Sequence, residues 1–130
     1  MKQFRLCALL CSLVLGTAFS APAQAQSPIG DPREAIHTVT HIDFMPDKLG
    51  AEAALAPFLA EAHRDPNVLH VELLQSISAP NHFTLLETLR NQTAYNAHIE
   101  AAYTRHFRAT IQDALGSPYD ERLFREYTPQ

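Results

Sequence analysis

The period of apolar and polar positions changes along the chain, and each change marks an element. Over residues 35–45, Ile36, Thr38, Thr40, Ile42 and Phe44 alternate with His37, Val39, His41 and Asp43. That alternation, rich in β-branched side chains, predicts a strand. Pro46-Asp47 ends it, and Leu49, Ala53, Ala56, Leu59 and Ala62 then recur at helical spacing up to Arg64. Pro57 falls inside this helix. It lacks an amide donor and is expected to kink or divide the helix, at roughly 3 kcal/mol if packing does not compensate. Asp65-Pro66-Asn67 stops the helix. Residues 68–77 and 82–89 read as two strands joined through the turn Ser78-Ala79-Pro80-Asn81, a hairpin.

After Leu89 the period becomes helical again. Asn91 or Thr93 can supply the oxygen that caps a helix N-terminus. Tyr95, His98, Ile99, Ala102, Tyr103, His106 and Phe107 then fall on one stripe, and the helical pattern runs to Leu115 as one broken helix or two. Gly116-Ser117-Pro118 ends it, and residues 119–127 form the last strand. The order β-α-β-β-α-β predicts an α+β, ferredoxin-like fold with a four-stranded antiparallel sheet covered by helices on one face. Apolar residues occur at both parities of the second strand, with Leu69, Val71 and Leu73 against Val68 and Leu74. A half-solvated sheet would be polar on one side, so the second face is expected to be covered by another copy of the chain, giving a homodimer.

The first 25 residues change the composition of what remains. Lys2 and Arg5 precede an apolar run from Leu6 to Phe19, and Ala23-Gln24-Ala25 is a small-x-small exit. This is the pattern of a secretory signal peptide with cleavage after Ala25, and the run is too short to span a bilayer comfortably. Residues 26–34, with Pro28, Gly30 and Pro32, read as a flexible leader, and residues 35–127 as the domain. Cleavage would remove both cysteines, Cys7 and Cys11, leaving no thiol or Cys-ligated metal. It would also remove two of the 10 basic residues, leaving eight against 14 acids, so the formal charge moves from −4 to −6. An acidic surface with no basic cluster argues against nucleic acid and against anionic lipid. The expected product is periplasmic or secreted, with no membrane attachment after cleavage.

Seven histidines invite a metal reading, but their spacing does not support one. His98 and His106 would stand about 12 Å apart along a continuous helix. His37 and His41 share a strand face about 13 Å apart. No metal and no cofactor is expected, since there is neither a spaced ligand cluster nor a Gly-rich phosphate loop. His63, His70 and His82 read as surface or sheet-edge residues. The candidate chemistry therefore rests on the buried helical stripe. His98 can act as a base held by Glu87, or it can simply dock helix on sheet; His106 is the next candidate. Tyr95, Tyr103 and Phe107 would wall a pocket for a small aromatic or hydrophobic molecule.

Glu87-Thr88-Leu89, then Ala94-Tyr95, His98-Ile99 and His106-Phe107, resembles the signature of the antibiotic biosynthesis monooxygenase (ABM) family, and Asp65-Pro66-Asn67-Val68 resembles its acidic-Pro-Gly turn. The resemblance spans residues 35–127, with Leu89 where the family commonly has Trp. It implies a dimeric α+β barrel and cofactor-independent oxidation of a quinol, anthrone or phenol by dioxygen. It also implies catalytic roles for His98, Glu87 and His106, and adds Thr40 and Leu89 to the substrate-binding set. A haem-degrading branch uses an Asn-Trp-His set; Thr40, His98 and Arg108 stand at those positions here, and that branch is disfavoured. The alternatives are a non-catalytic periplasmic dimer that binds a small hydrophobic ligand, or an isomerase-type member of the same fold.

Overall fold

A computed structural model describes residues 32–48 and 50–129. The expected signal peptide, and all but the last residues of the leader, lie outside them. Four strands, β1 (Ile36–Asp43), β2 (Val68–Gln75), β3 (His82–Leu89) and β4 (Asp120–Phe124), form one sheet in the order β2-β3-β1-β4. Every pairing is antiparallel. With α1 (Leu55–Ala62), α2 (Gln92–Glu100) and α3 (Ala102–Ile111), this is the ferredoxin-like order with its second helix in two pieces.

Pro57 neither kinks nor divides a long helix. Residues 51–54 form a 3-10 turn and α1 begins at Leu55, so Pro57 sits in the first α-helical turn, where amides lack intrahelical acceptors anyway. The Asn91 side chain caps α2, accepting from the Ala94 amide at 2.9 Å. Ala101, with φ −59° and ψ 142°, then breaks the second helix between α2 and α3. Strands β1, β2 and β4 are shorter than their apolar patterns, ending at Asp43, Gln75 and Phe124.

The register places Ile36, Thr38, Thr40 and Ile42 of β1 against Leu89, Glu87, Leu85 and Phe83 of β3, all facing the helices. At one end Ile42, Phe44, Phe58, Phe83, Leu85, Phe107 and Ile111 form the main core, with the Phe58 and Phe107 rings stacked at 4.4 Å. At the other, Ile36, Leu89 and Ala94 form a smaller cluster. Between them each central strand carries polar residues on its buried face, Thr38 and Thr40 on β1 and Glu87 on β3. The opposite face is mixed. Val39 pairs with Leu86 at its centre, while His37 and His41 bond Thr88 and Thr84, and His82 pairs with Asp43 at 3.0 Å.

A polar seam as the candidate functional site

Buried polar groups in a core this small are costly unless partnered, so the seam between the two apolar clusters is where chemistry can reside. One half of it belongs to β3, α2 and the start of α3. His98 is 2% exposed, with Nε2 3.2 Å from Glu87 Oε1. Its Nδ1 lies 2.9 Å from the Tyr103 hydroxyl, which donates to Asp65 Oδ2 at 2.7 Å. Thr38 donates to the other Glu87 oxygen at 3.4 Å, and the Asn67 amide donates to Asp65. Burial disfavours a charged ring at His98, but the Glu87 carboxylate, with Asp65 behind it, outweighs burial and raises the His98 pKa. Asp65 loses some of its solvation to burial, yet its hydrogen bonds from Asn67 and Tyr103 and the charge of His98 hold it below the usual range. Burial and the bond to Asp65 push the Tyr103 phenol up.

The break at Ala101 makes this half possible. Residues five apart on a continuous helix lie about 140° apart around its axis and cannot meet. With α3 starting a new phase, Tyr103 turns back to His98, and Thr104, Phe107 and Ile111 become its buried face.

The other half lies between α3 and β4. Tyr95 donates to Glu121 Oε1 at 2.6 Å, and Arg108 Nη2 bonds Glu121 Oε2. The Arg108 guanidinium stands over the Tyr119 ring, 4.9 Å from its centre. Burial, with the bond to Glu121, pushes Tyr95 up to about 12. Burial does the same to Tyr119, to about 12, against the opposing pull of Arg108. Both phenols are therefore protonated at neutral pH. Tyr119 is placed by a segment clipped to the end of β1: Met45 bonds Ala114, the Gly116 amide donates to the Asp43 carbonyl at 2.7 Å, and Ser117 donates to the Asp43 carboxylate. Arg108, Gln112, Ser117, Pro118 and Tyr119 border a cavity of about 600 Å³ that opens beside this half.

The structure distributes the sequence-predicted residues unevenly. Glu87 and His98 meet, as the pairing of a strand end with a helix face requires. Neither lines the 600 Å³ cavity, and both His98 nitrogens are engaged, so the raised-pKa ring ties α2, α3 and the α1–β2 turn to the sheet. His106 does not share the stripe of His98, because the helix break shifts its phase and leaves it exposed. With Phe58, Tyr103 and Phe107 it borders a groove of about 180 Å³ between α1 and α3. Tyr95 joins Glu121, Leu89 is core, and Thr40 is fully buried.

Asp65, Thr104, Tyr119 and Glu121 were absent from the sequence-based candidates, and Arg108 entered them only as a mismatch. One signal was available. Thr38 and Thr40 stand on the core parity of β1 between Ile36 and Ile42, where a purely structural strand would be apolar. Among the described residues, no group of three or more His, Cys, Asp or Glu side chains is placed to hold a metal ion. No described helix is long and apolar enough to cross a membrane.

Comparisons with known proteins agree with this architecture. A conserved protein from Methanosarcina mazei Go1 superposes with a TM-score of 0.69 at 15% identity, covering 74% of this chain and 96% of its own. A candidate antibiotic biosynthesis monooxygenase from Nitrosomonas europaea gives 0.67 at 23% identity, covering 74% and 93%. Rv0793 from Mycobacterium tuberculosis gives 0.67 at 16% identity, covering 73% and 97%. Likeness at these identities establishes the fold alone. No curated protein matches the sequence. The model of the antibiotic biosynthesis monooxygenase family matches residues 35–111, more than half of the chain, and the chain belongs to that family.

Proposed function

We propose that this protein is an exported, homodimeric, cofactor-independent monooxygenase that oxidises a small quinol, anthrone or phenol with dioxygen. The observation that carries the reading is the polar half-seam beside the 600 Å³ cavity, where a fixed guanidinium meets an opening large enough for a planar ring. Loss of a proton from such a substrate leaves an electron-rich anion that reduces dioxygen itself. In the anthrone case a ring CH2 becomes C=O, one oxygen atom enters the product and the other leaves as water. The chain's part is orientation and charge. Glu121 and Tyr95 hold Arg108, and Arg108 faces the charge that develops on the substrate. His98 is assigned to the scaffold of the site and not to proton removal.

Oxygen uptake by the purified mature protein, screened against quinols, anthrones and catechols, tests the reading. Turnover without added flavin, haem or zinc is expected, and Arg108→Gln should lower the rate roughly 100- to 1,000-fold, the span for removing one donor to a developing oxyanion. A second reading, a dimer that binds a hydrophobic ligand without turnover, is favoured by the sealed state of His98. Saturable binding with no oxygen consumption across the screen would establish it in place of the enzyme.

A further inference from the structure

The sheet face away from the helices has a regular layout. Leu86 and Val39 form its centre, with Glu72 one strand out on β2 and Arg122 one strand out on β4, all four in one cross-strand row. On either side of Val39, the His37 and His41 rings lie 3.1 and 3.3 Å from the Thr88 and Thr84 hydroxyls. The other charged or titratable groups that the four strands turn to this face are His70, 3.7 Å from Glu72; His82, 3.0 Å from Asp43; and Asp120, bonded to Arg122. The row of His37 holds His70, Thr88 and Phe124, and so no carboxylate. The row of His41 holds Asp120, which Arg122 already engages.

Charge complementarity selects a second copy of the chain as the cover. When two such sheets stack about a two-fold axis parallel to the strands, between β1 and β3, β2 of one copy lies over β4 of the other. Each Glu72 then meets the partner's Arg122, and Leu86 lies over the partner's Val39. An axis across the strands would instead set Glu72 on Glu72 and Arg122 on Arg122. The face is therefore complementary to itself in one of the two arrangements.

We propose that this self-interface is gated by His37 and His41: it closes while both rings are neutral and opens as acidification charges them. The inference rests on the homodimer of the reading above and adds its regulation. Closure takes water from rings that flank the aliphatic centre. A neutral imidazole stays satisfied there by its threonine hydroxyl. An imidazolium would be a charge in a dry interface with no free carboxylate beside it, and each dimer would hold two from each copy. His70 and His82 differ, because Glu72 and Asp43 stand next to them and match their charge.

Sedimentation velocity of the mature protein at about pH 7.5 and about pH 5, on either side of the ordinary histidine range, tests the gate, with circular dichroism to follow folding. Wild type should be a dimer at the higher pH and a folded monomer at the lower. Its dissociation constant should rise at least about tenfold per pH unit below about 6.5, because dissociation takes up protons. Folding should persist, since the His98 network is fully formed between the carboxylate range and about 6.5. His37→Gln combined with His41→Gln keeps a polar group for each threonine and should stay dimeric at both pH values. His70→Gln combined with His82→Gln should dissociate as wild type does. Equal wild-type affinity at both pH values, acid unfolding in place of dissociation, or dissociation of the His37/His41 variant alongside wild type would overturn the gate and leave the homodimer standing. A wild-type monomer at the higher pH would overturn both. If the His37/His41 variant does not dimerise at all, dilution of the wild-type dimer at about pH 6 in weak buffer decides: proton uptake supports the gate, and its absence overturns it.

Discussion

His98 sets the energetics of its neighbourhood. Its ring lies 3.2 Å from Glu87 and 3.7 Å from Asp65, with Tyr103 between the ring and Asp65. Removing one partner of a buried charged pair strands the other, so His98→Ala should cost about 3–5 kcal/mol in urea unfolding. The pH dependence follows from the direction of the shifts. The folded pKa of His98 is raised, so its contribution is fully present below the unfolded value, about 6.5, and is lost as pH rises through the folded value. The folded pKa of Asp65 is lowered, so its contribution is present above its unfolded value and lost as pH falls through the folded one. Stability from this network should therefore be greatest between the carboxylate range and about 6.5, and fall as pH rises through the raised His98 pKa. Unfolding midpoints across that range, with Glu87→Gln as the variant that brings the His98 titration down, check it directly by imidazole NMR. A catalytic base in the same position would instead give a rate rising with pH; His98→Gln that stays folded should keep its oxidation rate.

At the level of elements, the break at Ala101 carries the site. Ala102 is the first residue of α3 and Ala101 has the extended ψ that tolerates a following proline. Ala102→Pro should therefore be neutral, or stabilising by about 0.4–1 kcal/mol. In one continuous helix the same change would cost about 3 kcal/mol, so a thermal melt separates the two arrangements. Asn91 tests the preceding start: Asn91→Ala removes the acceptor for the Ala94 amide and should cost about 1 kcal/mol without altering α3. How much of this was legible varies by element. The cap was written in Asn91 itself, because capping is a local interaction. A broken helix was expected, but the place of the break was not legible, since residues 100–102 are Glu-Ala-Ala, with neither Gly nor Pro to mark it. It is favoured by the distant bond from Tyr103 to Asp65.

For the whole molecule, the sheet face away from the helices decides assembly. Val39 and Leu86 are half-buried at its centre, and Leu74 and Phe124 are 46% and 49% exposed. The proposed homodimer would cover this face, and an obligate interface of this kind exceeds about 2,000 Å² in total. Light scattering of the mature protein should give a dimer at micromolar concentration, and Leu86→Asp should give a folded monomer. His37, His41, His70 and His82 surround the aliphatic centre, so the face is more polar than the apolar parities of β2 alone suggested.

The sequence by itself determined the order of elements, because the alternation of β1 and the period of the α2–α3 stripe are local consequences of which side chains are apolar. It also determined that β3 and α2 bring Glu87 to His98, since both lie within one strand–turn–helix unit. Only the tertiary structure decided what those residues do. Burial, Asp65 from the α1–β2 turn and Tyr103 from beyond the break join Glu87 around the His98 ring and engage both of its nitrogens. Glu121 stands opposite Thr40 because β4 returns beside β1, and α3 brings Arg108 to Glu121 and over the Tyr119 ring. Such contacts join residues tens of positions apart, and no periodicity of one segment encodes the register at which two distant segments meet.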